Sequence, residues 1–231
     1  MFDLSPQDWQ ALHLSLRVAM WSTLCTLPIA LFLSLALANR RYMGRNLLNA
    51  VVHLPLVLPP VVTGYALLIF FGRQGAIGAW LADSFGIVLA FKWTGAVLAA
   101  SVMSLPLMVR PIVLSLEATD TRLNAAAATL GASRLLIFLT ITLPLAAPGL
   151  LAATVLGFAK SLGEFGATVT FVANIPGETR TLPNAIYTQL QIPGAENAVL
   201  QLAVLSVVLS LVALLLAEWL GWRLNRRVHG Q

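Results

Sequence analysis

The sequence predicts an all-α, polytopic membrane protein with about five transmembrane helices in a single domain, residues 1–231. Only 10% of the residues are charged and 58% are hydrophobic, with a mean hydropathy of +0.85, whereas a soluble domain carries about 25% charged residues. The apolar residues form long runs, and about 20 such residues cross a bilayer as a helix. Most arginines stand at the ends of these runs, where charges set membrane topology.

Five apolar runs are long enough to cross the membrane. We place the spans at residues 14–38, 48–71, 93–115, 144–172 and 197–222. The fourth run is unusually long and contains Gly157, Gly163 and Gly166. We therefore expect this helix to tilt or bend.

Prolines are concentrated in the second and third expected spans: Pro55, Pro59, Pro60, Pro106 and Pro111. Each one removes a backbone hydrogen bond and kinks or loosens a helix. A membrane tolerates this where neighbouring groups or water satisfy the freed carbonyls. The prolines therefore indicate either packing kinks or hinges beside a pathway that includes Pro60, Thr63 and Gly64.

A polar segment, residues 117–143, separates the third and fourth spans. The run Ala125 to Ala128 favours a helix with a thin surface, and Gly131 is placed to end or bend that helix. Pro144 fits the first turn of the helix that follows. The segment predicts a short helix outside the membrane, which either offers a docking face to another protein or is an ordinary amphipathic connector.

The distribution of basic residues predicts the orientation. The loops after spans one, three and five hold eight arginines: Arg40, Arg41, Arg45, Arg122, Arg134, Arg223, Arg226 and Arg227. The opposite side holds three basic residues, Arg73, Lys92 and Arg180. Because basic loops stay in the cytoplasm, we expect the N-terminus outside, the C-terminus inside, and residues 117–143 in the cytoplasm.

The segment 173–196 is rich in turn residues and is expected outside the membrane. Residues 182–190 can form a short helix, because an Ile-Pro-Gly triplet precedes and another follows them, at 175–177 and 192–194. Pro and Gly in such triplets mark turns.

An acidic residue, Glu164, lies inside the fourth expected span, where charges must be paired or functional. Lys160 stands four residues earlier on the same helical face, so the two can form an ion pair. The pair either neutralises itself and anchors the helix, or accompanies a narrow polar face formed by Gly163, Gly166 and Thr168. That face would line a pathway between two subunits, with Glu164 orienting a neighbour.

The polar segment resembles the cytoplasmic motif of ABC importer permeases, which reads Glu-Ala-Ala, three residues, Gly, nine residues, Ile-x-Leu-Pro. This sequence departs from the motif only in carrying Ala125 in place of the Glu. The resemblance implies that this segment docks on a cytoplasmic ATPase dimer and transmits its closure. The residues assigned to coupling are Ala125, Ala126, Ala127, Gly131, Arg134, Ile141, Leu143 and Pro144.

The octapeptide Ser161 to Thr168, SLGEFGAT, resembles the permeases of molybdate importers, and sulfate and tungstate permeases share its Gly-Glu-Phe-Gly core. The resemblance extends over residues 12–222 and implies an ABC importer permease fold of type I character, working as a homodimer. The pathway residues it implies are Pro60, Thr63, Gly64, Gly163, Glu164, Phe165, Gly166 and Thr168. Those implied for docking of a periplasmic oxyanion-binding protein are Pro176, Gly177, Glu178, Thr179 and Arg180.

The implied function is the permease subunit of an ATP-driven molybdate importer in the bacterial inner membrane. Sulfate or tungstate is the alternative cargo, and a channel or secondary transporter is the alternative of another class. Secondary transporters often carry internal repeats, and this sequence has none that we detect. ATP and magnesium would bind the partner ATPase, and this chain is expected to bind no cofactor.

Enzymatic and nucleic-acid functions find little support in the sequence. It contains no phosphate-binding loop of the G-x-x-x-x-G-K type and no G-x-S-x-G nucleophile motif. Its histidines are dispersed, so we expect no metal site and no catalytic residue. The arginines do not cluster with aromatic residues, so the net charge of +5 does not indicate a nucleic-acid partner.

Overall fold

The computed structural model describes residues 5–39 and 43–229, and the regular elements in this part of the chain are helical. The helices are α1 (Pro6–Ala38), α2 (Arg45–Val57), α3 (Pro60–Phe71), α4 (Ala76–Phe85), α5 (Trp93–Glu117), α6 (Thr121–Thr129), α7 (Arg134–Ile137), α8 (Leu143–Leu145), α9 (Ala147–Leu162), α10 (Gly166–Val172), α11 (Leu182–Leu190) and α12 (Glu196–His229). A π-helical turn, Phe138–Thr142, joins α7 to α8. The predicted all-α class is confirmed.

Within the described ranges, three helices are long and apolar enough to cross a membrane by themselves: Pro6–Ala38, Trp93–Glu117 and the Glu196–Leu216 part of α12. They correspond to the first, third and fifth expected spans. The α5 helix continues through both of its prolines, Pro106 and Pro111. Two arginines of the topology argument, Arg40 and Arg41, lie outside the described residues. So do residues 1–4, 42 and 230–231.

The second expected span, 48–71, is broken into α2 and α3, which are bent by 113° relative to each other. The break falls at Pro59 and Pro60, two of the prolines expected to kink or loosen this span. The cause is the pair of prolines at the junction, since a residue that precedes proline is driven out of the α conformation. Leu58 and Pro59 are both extended, with ψ of 143° and 134°, and Pro60 then opens α3 at a position where no N–H is needed.

The fourth expected span, 144–172, is also divided. Its first break lies between Arg134–Leu145 and Ala147–Leu162, and the chain bends there by 63° from a straight continuation. Pro148 stands in the first turn of α9, and its missing N–H and its ring disfavour an unbroken helix there. A second break, residues 163–165, separates α9 from α10. The expected bend is therefore present, but as two interruptions.

The core of the protein is formed where α1, α5 and α9 pack together. Small residues permit close helix contact: a Cβ built on Gly157 would lie 2.5 Å from the Met108 sulfur, and one on Gly149 would lie 2.6 Å from the Pro111 carbonyl oxygen. α10 packs on α3 and α5, while α11 packs on α1 and α12. The backbone N–H of Leu182 donates to Ser15 Oγ at 2.6 Å, which fixes the start of α11 on α1.

The last helix is covered far less than the other two long helices. Only 6% of the apolar window of α12 is buried, against 39% for α1 and 50% for α5. A helix that is apolar all round suits a lipid environment or a buried interface. α12 therefore lies at the edge of the subunit.

Candidate functional site

The polar segment forms a capped helix that ends at the predicted glycine. The Asp120 side chain accepts a hydrogen bond from the Arg122 backbone N–H at 2.9 Å and begins α6. At the other end, the N–H of Gly131 bonds the Ala128 carbonyl and the N–H of Ala132 bonds the Ala127 carbonyl, both at 3.1 Å. These two bonds define a Schellman motif. Gly131 has φ +85°, so the predicted helix end is confirmed.

The two halves of the motif lie together, because α6 packs against α7 and the π-helical turn. Ala125 and Ala126 are exposed on α6 while Ala127 is half-buried, and Arg134 is exposed at the start of α7. Ile141 and Leu143 are half-buried beneath this surface, and Pro144 is exposed. We call the exposed part of α6, α7 and the residues between them the α6–α7 surface.

Four exposed leucines on this surface were missed by sequence reasoning. Leu130 is 89% exposed, and Leu123, Leu135 and Leu136 are also exposed. Leu130 directly precedes Gly131, at the C-cap of α6, so the sharp turn projects it from the helix end. The sequence did carry a signal for Leu130. It is an apolar residue in a polar segment, and the neighbouring residues show no apolar periodicity that would place it in a buried face.

The predicted pathway glycines bring α3 and α10 into backbone contact. A Cβ built on Gly64 would lie 2.5 Å from the Ala167 carbonyl oxygen, and one on Gly166 would lie 2.7 Å from Cβ of Pro60. Such distances exclude any larger residue unless the helices separate. The α3–α10 crossing therefore requires glycine on both helices.

Glu164 holds the break between α9 and α10. Its Oε2 accepts a hydrogen bond from Lys160 Nζ at 2.6 Å, and its Oε1 accepts one from the Ala167 backbone N–H at 3.0 Å. The residue is 2% exposed, and both oxygens of its buried carboxylate have a partner. The ion pair is present, and Glu164 also caps the first turn of α10, where a negative charge is favoured.

The remaining predicted pathway residues occupy two layers. Thr63 and Thr168 are buried, and the Thr168 hydroxyl donates to the Phe165 carbonyl at 2.8 Å. Gly163 is exposed, and Phe165 is half-buried with its ring centroid 5.0 Å from that of Tyr187. Gly163, Phe165 and Tyr187 line a cavity of about 350 Å³ that continues onto α11 and α12.

The segment predicted for binding-protein docking folds as a tight turn before α11. The carbonyl of Ile175 accepts hydrogen bonds from the backbone N–H groups of residues 178, 179 and 180. Thr179 is buried with its hydroxyl accepting from the Ile175 N–H, and Arg180 Nε donates to Asn174 Oδ1 at 2.9 Å. Pro176, Gly177 and Glu178 form the exposed tip. α11 spans residues 182–190 as predicted.

Among the described residues, no group of three or more His, Cys, Asp or Glu side chains has a metal-binding arrangement.

The sequence matches, over residues 27–226, the family described as binding-protein-dependent transport system inner membrane component. The chain belongs to this family. It is 54% identical over 228 residues to the molybdenum transport system permease protein ModB of Escherichia coli (strain K12), a match that covers 99% of both chains. It is 53% identical over 218 residues to ModB of Haemophilus influenzae, covering 94% of this chain and 95% of the relative.

A more distant relative and a solved structure extend the comparison. The sulfate transport system permease protein CysT of Escherichia coli is 35% identical over 231 residues, covering 98% of this chain and 81% of the relative. The structure of a bacterial alginate ABC transporter with its alginate pentasaccharide-bound periplasmic protein superposes with a TM-score of 0.77 at 18% identity, covering 96% of this chain and 81% of that chain. The predicted ABC transporter permease fold is confirmed.

Proposed function

We propose that this chain is the membrane permease subunit of an ATP-driven molybdate importer. The observation that carries the proposal is its full-length identity of 54% to a protein named as a molybdenum transport permease. The octapeptide that resembles oxyanion permeases forms the α9–α10 break, where Glu164 is anchored. The chain itself performs no catalysis, and it uses the ATP and magnesium of a partner subunit.

The α6–α7 surface is the proposed contact with a cytoplasmic ATPase dimer. It combines an alanine face that permits close approach with exposed leucines that favour burial. α6 is joined to α5 through Glu117 and to α9 through α7 and α8. A displacement of α6 by the ATPase would therefore reach both core helices. ATP binding supplies the free-energy difference that a membrane chain lacks by itself.

The translocation pathway is proposed to lie between two copies of this chain, along the α3–α10 crossing. Pro60 and Gly166 are exposed or half-buried at this crossing, and Gly163 and Phe165 are exposed or half-buried in the adjoining α9–α10 break. These four residues would face the pathway. Thr63, Gly64, Glu164 and Thr168 are buried behind them. We assign these four to holding the pathway face in shape. Glu164 carries negative charge that Lys160 and the α10 N-terminus offset, so it would not repel a dianion strongly.

The exposed tip Pro176 to Glu178 is the proposed contact with a periplasmic oxyanion-binding protein, with Thr179 and Arg180 shaping the turn. This assignment goes with an orientation in which the N-terminus is outside and the C-terminus is cytoplasmic. The α6–α7 surface and the tip of the 173–181 turn then lie on opposite sides of the inner membrane.

Competition in a reconstituted transporter tests the cargo. The permease, its ATPase and its binding protein are placed in proteoliposomes, and uptake of labelled molybdate is measured against increasing tungstate or sulfate. We expect molybdate uptake that tungstate inhibits at similar concentration and sulfate inhibits only in large excess. Preferential uptake of sulfate would replace molybdate with the alternative cargo. Uptake without any ATPase bound would favour a channel or secondary transporter.

A further inference from the structure

A small polar cavity lies between the end of α1, the first half of α2 and the second half of α5. Its volume is about 110 Å³. Its polar lining comes from Arg45, Asn46, Asn49, His53 and Arg110, and three apolar side chains of α1 and α5 complete it. Because α5 ends at Glu117 and α6 follows at once, the cavity stands at the end of the subunit that carries the α6–α7 surface.

Arg45 is held rigidly beside this cavity. Its Nε donates to the Leu37 carbonyl at 2.7 Å, and its Nη2 donates to Glu117 Oε1 at 2.8 Å. These bonds join the ends of α1 and α5 to the start of α2. Glu117 is occupied by Arg45, and no carboxylate belongs to the cavity lining found among the described side chains.

Unlike Arg45, Arg110 has no partner among the residues that the structure describes. It is exposed on α5, and within the described part of the chain it makes no hydrogen bond or ion pair. A guanidinium group that lines a cavity without a carboxylate is available to bind an anion through its fork of N–H donors. The amides of Asn46 and Asn49 can supply further donors.

We propose that this cavity binds a tetrahedral oxyanion group, with Arg110 as its main charged ligand and the amides of Asn46 and Asn49 as neutral donors. A cavity of about 10–15 Å³ by this measure holds one water, so a cavity of about 110 Å³ has room for one such group. The group is either the phosphate of an anionic phospholipid or a free oxyanion, because the two present the same oxygens. Basic pockets between membrane helices bind lipid headgroups in this way.

The proposed site is separate from the proposed pathway. Its lining comes from α1, α2 and α5, whereas the pathway face is built on α3 and α10. An anion held here would tie α2 to the core at the end next to α6. Its placement on the cytoplasmic side rests on the proposed orientation, whereas anion binding itself does not.

Thermal unfolding of the purified full-length permease in a neutral detergent tests the site. One series adds dihexanoyl phosphatidylglycerol, with dihexanoyl phosphatidylcholine as its zwitterionic control. The other adds sodium phosphate or sodium molybdate, with sodium chloride at matched ionic strength. Arg110→Gln removes the proposed ligand, and Arg73→Gln is the matched control, since Arg73 is also exposed and unpartnered among the described residues.

We expect the ligand of one series to raise the thermal unfolding midpoint of the wild type and of Arg73→Gln. Arg110→Gln should weaken the apparent affinity for that ligand by about tenfold or more, because it removes charge-assisted hydrogen bonds. A response to phosphatidylglycerol identifies a lipid phosphate, and a response to phosphate or molybdate identifies a free oxyanion. No stabilisation, or equal stabilisation of both variants, would overturn the site. A permease that transports no molybdate but retains Arg110-dependent binding would remove the proposed function and leave this site standing.

Discussion

Glu164 is the residue on which the α9–α10 break depends. One carboxylate oxygen accepts a hydrogen bond from Lys160 Nζ and the other accepts one from the Ala167 N–H. Removing the side chain of Lys160 or of Glu164 therefore leaves a polar group without its partner. The side chain of Glu164 is 1% exposed and that of Lys160 is 28% exposed. The lysine can therefore reach water when it loses its partner, whereas the glutamate cannot.

This asymmetry predicts the outcome of a double-mutant cycle. Lys160→Ala should lower the free energy of unfolding by about 3 kcal/mol, within the range for breaking a buried pair. The double variant Lys160→Ala, Glu164→Ala should be destabilised less than this single variant. Thermal unfolding of both single variants and the double variant in detergent measures the effect. Strictly additive losses would contradict the pairing, and unimpaired transport by Glu164→Ala would leave Gly163 and Gly166 as the better candidates for the pathway face.

Gly131 allows backbone strain to be separated from partner contact. A Cβ at this position meets nothing within 4 Å inside the subunit, but φ is +85°. Asn tolerates the left-handed conformation better than other side chains, so Gly131→Asn should change unfolding by less than about 1 kcal/mol. It should nevertheless weaken retention of the ATPase during co-purification, because it adds bulk to the docking surface.

Gly86→Asn is the matched control, since Gly86 has φ +66° with open space around it and ends α4. That variant should retain the ATPase fully. Equal retention by both variants would mean that Gly131 is not part of the contact.

At the scale of the elements, α3 and α10 behave as one unit because their backbones touch. Gly64→Ala would place a methyl group 2.5 Å from the Ala167 carbonyl oxygen. Overpacking of this kind costs about 1–3 kcal/mol. We expect a lower unfolding midpoint and impaired transport, since the α3–α10 crossing would have to open.

Gly163→Ala is the control within the same region. Its Cβ would meet only the Ala159 carbonyl oxygen, at 3.8 Å, and φ is −91°. Stability should therefore stay near that of the wild type. If Gly64→Ala is as stable as Gly163→Ala, close contact of α3 with α10 is not a feature of the protein in solution.

At the scale of the whole molecule, the helices that local sequence signals define could be predicted. The direction that the chain takes after a break between two helices could not. Residues 182–190 were assigned to their observed bounds because turn triplets flank them. Gly131 ends α6 because glycine adopts its positive φ at the lowest cost. The prolines predicted a kink within residues 48–71, but the size of the bend at Pro59, 113°, was not predicted, since hydropathy reads the stretch as one run. Where α3 goes after the prolines depends on its packing against α10, which lies a hundred residues later.

Orientation is the next prediction at this scale. In a background carrying Cys25→Ser, Met43→Cys introduces a thiol at a residue that is 97% exposed, and Glu178→Cys introduces one at the exposed tip. An impermeant thiol reagent added to intact cells should label position 178 and spare position 43. Labelling of position 43 from outside would reverse the orientation and with it the coupling argument.

The central claim is that ATP hydrolysis by a partner at the α6–α7 surface drives molybdate through this permease. The most direct measurement is uptake of labelled molybdate into proteoliposomes that contain the permease and its ATPase, with loaded binding protein outside and ATP enclosed. The account predicts accumulation that requires enclosed ATP and is abolished by a non-hydrolysable analogue. Molybdate uptake that proceeds equally without ATP, or none when an intact ATPase is bound and active, would contradict it.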